Sequence, residues 1–258
     1  MNTARRVAIM VAIGMALLPA LASAKPPEPE GKPVYQDDFS NATKSGLEDN
    51  LEGEDFSRGF HTPGVYHLKL ANPDEVRWSL LPDQTYGQFS LQADVWDNSD
   101  SFQGGVAQGL VFRAKDDTHF YTVLLDPRKG QYAVRKLNGK QWSDLVPMTA
   151  SPLVKKQAEV NQLRVDAKAD KFTVYLNGET LATFSDASYS SGQIGMLVAN
   201  TDAVDPHLHF DNLKIYTTEA AATLPAALPS TGGDALATLA LATLGALLLG
   251  SGALTRRL

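Results

Sequence analysis

The sequence predicts an all-β fold built from two antiparallel sheets packed face to face. Three observations carry that prediction. Apolar and polar residues alternate with period two through most of residues 34–216, as in strands with one buried face. Asn-Gly dipeptides punctuate the alternation at Asn138-Gly139 and Asn177-Gly178, where tight hairpin turns need positive φ. No stretch of this region keeps a helical period for long, residues 154–160 offering only a short turn. About a dozen short strands at hairpin spacing close as a sandwich.

The first clear strand is Gln88–Trp96. Phe89, Leu91, Ala93 and Val95 point one way, and Gln88, Ser90, Gln92, Asp94 and Trp96 the other. Gln108–Ala114 and His119–Leu125 read as the next two. Gln131–Leu137 and Gln141–Val146 flank the first Asn-Gly pair, and Lys171–Leu176 and Glu179–Phe184 the second. Both pairs predict type I′ turns. Asn161–Ala167 alternates Leu163 and Val165 with Gln162, Arg164 and Asp166. Leu208 and Phe210, then Leu213 and Ile215, close the domain.

The two ends read differently. Arg5 and Arg6 precede an uncharged apolar run, Val7 to Leu21, and then Ala22-Ser23-Ala24. A basic start, an apolar middle and an A-x-A site describe a secretion signal over residues 1–24, cut between Ala24 and Lys25. Residues 25–33 hold Pro26, Pro27, Pro29 and Pro33, an extended leader. Residues 217–227 are rich in alanine and threonine and form a linker before Leu228-Pro229-Ser230-Thr231-Gly232. Segment 235–254 is uncharged. As a helix it would be about 30 Å long, enough to span a bilayer. Arg256 and Arg257 behind it favour the cytoplasmic side. In that order, residues 228–258 resemble the cell-wall sorting signal of sortase substrates, L-P-x-T-G. The resemblance implies that Leu228 and Pro229 are recognised and that a sortase thiolate cuts between Thr231 and Gly232. Thr231 would then be joined to an amine of the cell-wall peptide. The expected location is the cell exterior, wall-anchored. The membrane is met only through helix 235–254 before sorting, which otherwise remains a single-pass anchor.

The chain has no cysteine, which excludes disulfides, thiol catalysis and zinc–thiolate centres. Its formal net charge is −6. The part between the two processing sites is more acidic still, because Arg5, Arg6, Arg256 and Arg257 lie outside it. An acidic surface without a basic cluster repels phosphate backbones, so no nucleic-acid partner is expected.

Several runs in fixed order carry a further resemblance: Phe89 to Val95, Gly109-Leu110-Val111-Phe112-Arg113, Asp116 to Tyr121, Leu163-Arg164-Val165, Phe172 to Gly178, Gly192-Gln193-Ile194-Gly195 and Phe210 to Ile215. Together they resemble the concanavalin A-like lectin/glucanase jelly roll, and within it the 3-keto-disaccharide hydrolase or family-16-like branch. The resemblance implies a jelly roll over residues 34–216, with Asp37-Asp38-Phe39 and Phe210-Asp211-Asn212 on neighbouring strands. Family-16 glucanases keep their acids on one strand, as E-x-D-x-x-E, so that one carboxylate attacks and another protonates. The comparable strand here reads Gln92-Ala93-Asp94-Val95-Trp96-Asp97. Asp94 matches the central acid. Gln92 puts an amide where the nucleophile would stand, a poor substitute for a carboxylate. No catalytic residue is therefore assigned, and Asp94 and Asp97 are expected to be solvated residues at a strand end.

His207 and His209 share a strand face, a start for a metal site, but no third ligand is evident, and His61, His67 and His119 are scattered. No metal ligands are assigned and no cofactor is expected. Calcium (Ca2+) would suit acidic turns such as Asp116-Asp117 or Asp202 with Asp205, without ligands that can be named. The remaining signal is a polar face. An aromatic plate beside planar hydrogen-bonding groups is how proteins hold sugars. Trp96, Asp94, Arg113, Tyr121 and Arg135 are the candidate carbohydrate-binding residues, with Trp142 as another exposed aromatic. The expected function is a wall-anchored, non-catalytic, lectin-like glycan-binding protein. The alternatives are a glycoside or 3-keto-disaccharide hydrolase, and an adhesin or structural protein that binds other proteins.

Overall fold

The computed structural model describes residues 25–49, 55–61, 64–217 and the short strand at 222–223. The predicted secretion signal (1–24) and sorting signal (228–258) lie outside the described residues. No described helix is long and apolar enough to cross a membrane.

In chain order the elements are β1 (Tyr35–Asp37), α1 (Ala42–Ser45), β2 (Phe56–His61), β3 (Val65–Leu70), β4 (Glu75–Leu80), β5 (Gln84–Thr85), β6 (Phe89–Asp97), β7 (Val106–Asp116) and β8 (His119–Asp126). They continue with β9 (Gln131–Asn138), β10 (Gln141–Ala150), β11 (Asn161–Lys168), β12 (Lys171–Leu176), β13 (Glu179–Ser185), β14 (Gln193–Asn200), β15 (His207–Tyr216) and β16 (Ala222–Thr223). The larger sheet has eight strands in the order β13-β12-β11-β6-β15-β3-β2, with β1 paired to the second half of β15. The other has six, β10-β9-β8-β7-β14-β4, and β5 pairs with β16 as a small ribbon. The fold is an all-β sandwich of two antiparallel sheets.

The period-two pattern explains the core. Leu91, Ala93 and Val95 of β6, Leu163 and Val165 of β11, and Leu208 and Phe210 of β15 are buried. They share one cluster with Leu110 and Phe112 of β7, Val123 and Leu125 of β8, and Met196 and Val198 of β14. Residues one position out of phase lie on the opposite faces. On the six-stranded sheet that face is apolar too: Trp78, Val111, Phe120, Leu124 and Leu197 form a second buried cluster. On the eight-stranded sheet it is polar, and this contrast selects it as the chemically richer surface.

Local departures have local causes. In β15 the inward residues change parity, from Leu208 and Phe210 to Leu213 and Ile215. A β-bulge between Asp211 and Lys214 supplies the extra residue, with Asn212 at φ 51°. Asn177 and Gly178 both have positive φ, as type I′ requires. The other turn differs from expectation. Asn138 still pairs with Gln141, so Gly139 and Lys140 are the turn residues, and only Gly139 is at positive φ. That is the pattern of type II′. The single helical turn α1 has no hydrophobic period to announce it. It is set by its caps, Asn41 accepting from the Thr43 N–H and Gly46 closing it at φ 70°.

Candidate functional site

The outward face of the eight-stranded sheet is a ladder of three polar rungs, each two residues from the next along β6. In the first, Tyr175 of β12 faces Arg164 of β11, Arg164 faces Gln92 of β6, and Gln92 faces Lys214 of β15. The Arg164 guanidinium lies 4.0 Å from the centre of the Tyr175 ring, a cation–π stack. In the second, Gln162 faces Asp94 and Asp94 faces Asp211. In the third, Trp96 faces His209 and His209 faces His67.

Asn212 ties the middle rung together. Its Nδ2 donates to Asp94 Oδ2 at 2.9 Å and to Asp211 Oδ2 at 3.2 Å. Burial pushes the Asp211 carboxyl above its ordinary value. The backbone N–H of Asn212 opposes this, and the nearby charges of Asp94, Asp38 and Asp37 add to it. A cleft of about 390 Å3 opens beside Asn212 and Lys214, lined also by Asp37, Asp38, Asn41 and Lys44. The expected closing pair is present, since Asp37 on β1 faces Leu213 on β15.

The third rung runs into a histidine cluster. His61 of β2, His67 of β3, and His207 and His209 of β15 meet within ring-centroid distances of 4.0 to 6.4 Å. The expectation of scattered histidines is thus corrected for His61 and His67. They are far from His207 in sequence but lie on strands next to β15. Nε2 of His209 lies 3.2 Å from Nε2 of His207. Burial, with the neighbouring imidazoles, lowers His67 and His209 to about 3 and lowers His207 as well. These rings are therefore neutral at neutral pH. His119 stands apart, its Nδ1 2.8 Å from Asp116 Oδ1.

Of the five sugar-binding candidates, Asp94 and Trp96 share this face. The other three do not join them. Arg113 sits at φ 51° where β7 shifts register against β8 and β14, and the bulge turns its side chain inward. It is 1% exposed and donates to the carbonyls of Gly87 and Tyr189. Tyr121 lies in the interior against Phe112 and donates its hydroxyl to Asp186 Oδ1 at 2.6 Å. Arg135 belongs to the six-stranded sheet. Its Nε donates to Asp144 at 2.7 Å, and its guanidinium lies over Trp142. Trp142 itself is half-buried against Phe120.

Asp97 is corrected as well. It continues the inward parity of Leu91, Ala93 and Val95 and is 0% exposed. Its Oδ2 accepts from Arg128 Nε at 2.7 Å, and its Oδ1 accepts from the Ser99 N–H. It therefore points away from Asp94 and is not a solvated strand end. The acidic turns are engaged too. Asp116 caps Thr118, Asp202 accepts from the Gly105 N–H, and Asp205 pairs with Lys69.

The sandwich is of the concanavalin A/galectin-like kind. More narrowly, the chain belongs to the family of 3-keto-alpha-glucoside-1,2-lyase-like domains, whose model matches residues 48–216. No curated protein matches it in sequence. Among solved structures it is similar to the carbohydrate binding module CBM66 from Bacillus subtilis, with 18% identity over 67% of this chain and 96% of that one and a TM-score of 0.53. It is also similar to the beta-glucanase of Bacillus licheniformis, with 11% identity, coverage of 73% and 99%, and a TM-score of 0.52. A Bacillus subtilis protein of unknown function with a galectin-like fold gives 14% identity, coverage of 74% and 97%, and a TM-score of 0.54. At these identities the likeness is one of fold.

Proposed function

We propose that this protein binds glycan across the outward face of β12, β11, β6 and β15, as an exported protein held at the cell surface. One observation carries the reading. Two aromatic groups, Trp96 and the Arg164–Tyr175 stack, bracket the Asp94–Asn212–Asp211 network on a single face. Sugar rings place C–H faces on aromatic plates and hydroxyls on planar amides and carboxylates. The family's name describes sugar chemistry, and one structural neighbour is a carbohydrate-binding module. A non-catalytic role is supported by Gln92 in the nucleophile position and by Asp97 held against Arg128. Export and sortase anchoring rest on the residue order at the two ends.

Full-length protein on a glycan array tests the ligand class. Selective retention of some glycans, weakened in Trp96→Ala, is expected; uniform absence of binding would remove the proposal. For the anchor, the protein should be released from cells by wall digestion. Deleting residues 228–232 should move it to the membrane fraction.

A second reading is favoured by the raised Asp211 and the neutral imidazoles: proton abstraction next to the carbonyl of a keto-sugar, as the family's name suggests. Turnover of a 3-keto-disaccharide that disappears in Asp94→Asn and Asp211→Asn would establish it.

A further inference from the structure

We propose that His61, His67 and His207 bind a divalent transition-metal ion of the zinc, copper or nickel class. This site stands independently of the glycan reading. Its first support is convergence. Four of the chain's five histidines gather from three neighbouring strands. The donor nitrogens of His61, His67 and His207 all lie within 4.8 Å of one another.

The second support is an orphaned atom. His67 is 3% exposed, and its Nδ1 has no hydrogen-bond partner. Buried polar atoms are rarely left so, because an unmade hydrogen bond in the interior is costly. A metal bond would remove that cost.

The third support is scale. An ion with tetrahedral nitrogen bonds of about 2.0–2.1 Å holds its ligand atoms roughly 3.4 Å apart. From the present limit of 4.8 Å the widest separation would close by about 1.4 Å, a shift that rotation about side-chain torsions supplies. The Nε2 atoms of His207 and His209 already lie 3.2 Å apart. A hydrogen bond between these two nitrogens orients the His207 ring, as partners of metal-bound histidines do, and His207 would then meet the metal through its other ring nitrogen.

The donor chemistry selects the ion. Imidazole nitrogen suits zinc, copper and nickel, whereas calcium and magnesium take oxygen. Lys69 faces His207 across the β3–β15 pair and would repel a cation, but its ammonium is paired with Asp205 at 2.8 Å. Three protein ligands leave a fourth position for water or a sugar hydroxyl. His61 and His207 are half-exposed, so solvent reaches the cluster.

Full-length protein stripped with EDTA and dialysed is titrated calorimetrically with ZnCl2, NiCl2 and CuCl2, with CaCl2 and MgCl2 as controls. The expected result is one transition ion per chain with a Kd of about 1 μM or tighter and no calcium or magnesium binding. His67→Asn and His207→Asn should each weaken binding by about 100-fold or more. His119→Asn, away from the cluster, should leave it unchanged. The copper-loaded parent should show nitrogen hyperfine coupling by EPR, a readout that does not depend on how the variants fold. No stoichiometric uptake by the stripped parent, a copper spectrum without nitrogen coupling, or loss of binding in His119→Asn would each overturn the proposal.

Discussion

The indole of Trp96 stands edge-on to the imidazole of His209, ring centroids 5.1 Å apart at 79°. The contact holds the aromatic plate in place before any ligand arrives, which lowers the ordering cost of binding. Trp96→Ala should weaken binding of an array-positive glycan by about tenfold, equivalent to about 1.4 kcal/mol. Isothermal titration would measure it. Trp142→Ala, on the other sheet, should change affinity by less than about twofold. Equal losses in the two variants would move the site away from Trp96.

Asp97 and Arg128 form an ion pair whose side chains are 0% and 3% exposed. Removing one partner strands the other charge in the interior. Asp97→Ala should therefore destabilise the fold by about 3–5 kcal/mol, read from the urea midpoint. Replacing both residues by apolar ones of similar volume should recover part of that loss. An Asp97→Asn variant of unchanged stability that had lost a sugar-cleaving activity would instead make Asp97 an active-site acid.

The strands that were legible, from β6 onward, were so because their period is local; β1 to β5, before Gln88, were not read from it. Alternation in 88–96 gives the face of every residue of β6 up to Trp96, though not of Asp97, which was read as a solvated strand end and lies in the interior. It gives less where both faces are apolar. The run His119–Leu125 has Phe120 and Leu124 in one buried cluster and Tyr121, Val123 and Leu125 in the other. Nothing in the run itself says which face meets the core, so Tyr121 reads equally well as a surface residue. Arg113 was misplaced for a different reason: a bulge reverses parity, and no residue type marks it. The histidine cluster depends on strand order. His67 and His209 are neighbours only because β15 returns beside β3, a long-range pairing that leaves no trace in either segment.

Asp186 latches the loop before β14 onto the core. Its carboxylate accepts from the Tyr121 hydroxyl at 2.6 Å, the Lys136 ammonium at 2.7 Å and the Ser188 N–H at 2.8 Å. Burial pushes this carboxyl up, but those donors more than offset it and hold it well below the ordinary range. The unfolded carboxyl titrates at about 3.9. Below that pH the unfolded chain takes up a proton that the folded one does not, so the latch's stabilisation is complete above about pH 5 and fades as the medium becomes more acid. Asp186→Asn should be less stable than the parent by about 1–3 kcal/mol at pH 7, with the gap narrowing from about pH 4 downward. Urea unfolding across that range would show it, and a constant gap would refute the latch. Tyr121→Phe should lose stability at pH 7 while leaving glycan binding intact.

Asn212 sets which side of β15 faces the core after Asp211. It supplies the extra residue at the bulge, adopts φ 51°, and donates to both Asp94 and Asp211. These roles separate by substitution. Asn212→Gly keeps the residue count and accepts the positive φ, so the sheet should persist with a loss of about 1 kcal/mol from the missing side-chain bonds. Glycan affinity should fall with it, because Asp94 and Asp211 lose their shared donor. Asn212→Val forces a β-branched residue to positive φ and should cost about 1–3 kcal/mol. Deleting Asn212 is different in kind. It would turn Leu213 and Ile215 outward and Lys214 into the core, because a shift of one residue inverts every side chain of a strand. The deletion should not yield a cooperatively folded protein, as judged by loss of a sigmoidal urea transition. A folded deletion variant with Leu213 still protected would show that the register of β15 is fixed elsewhere, by β1 and β6, rather than at the bulge.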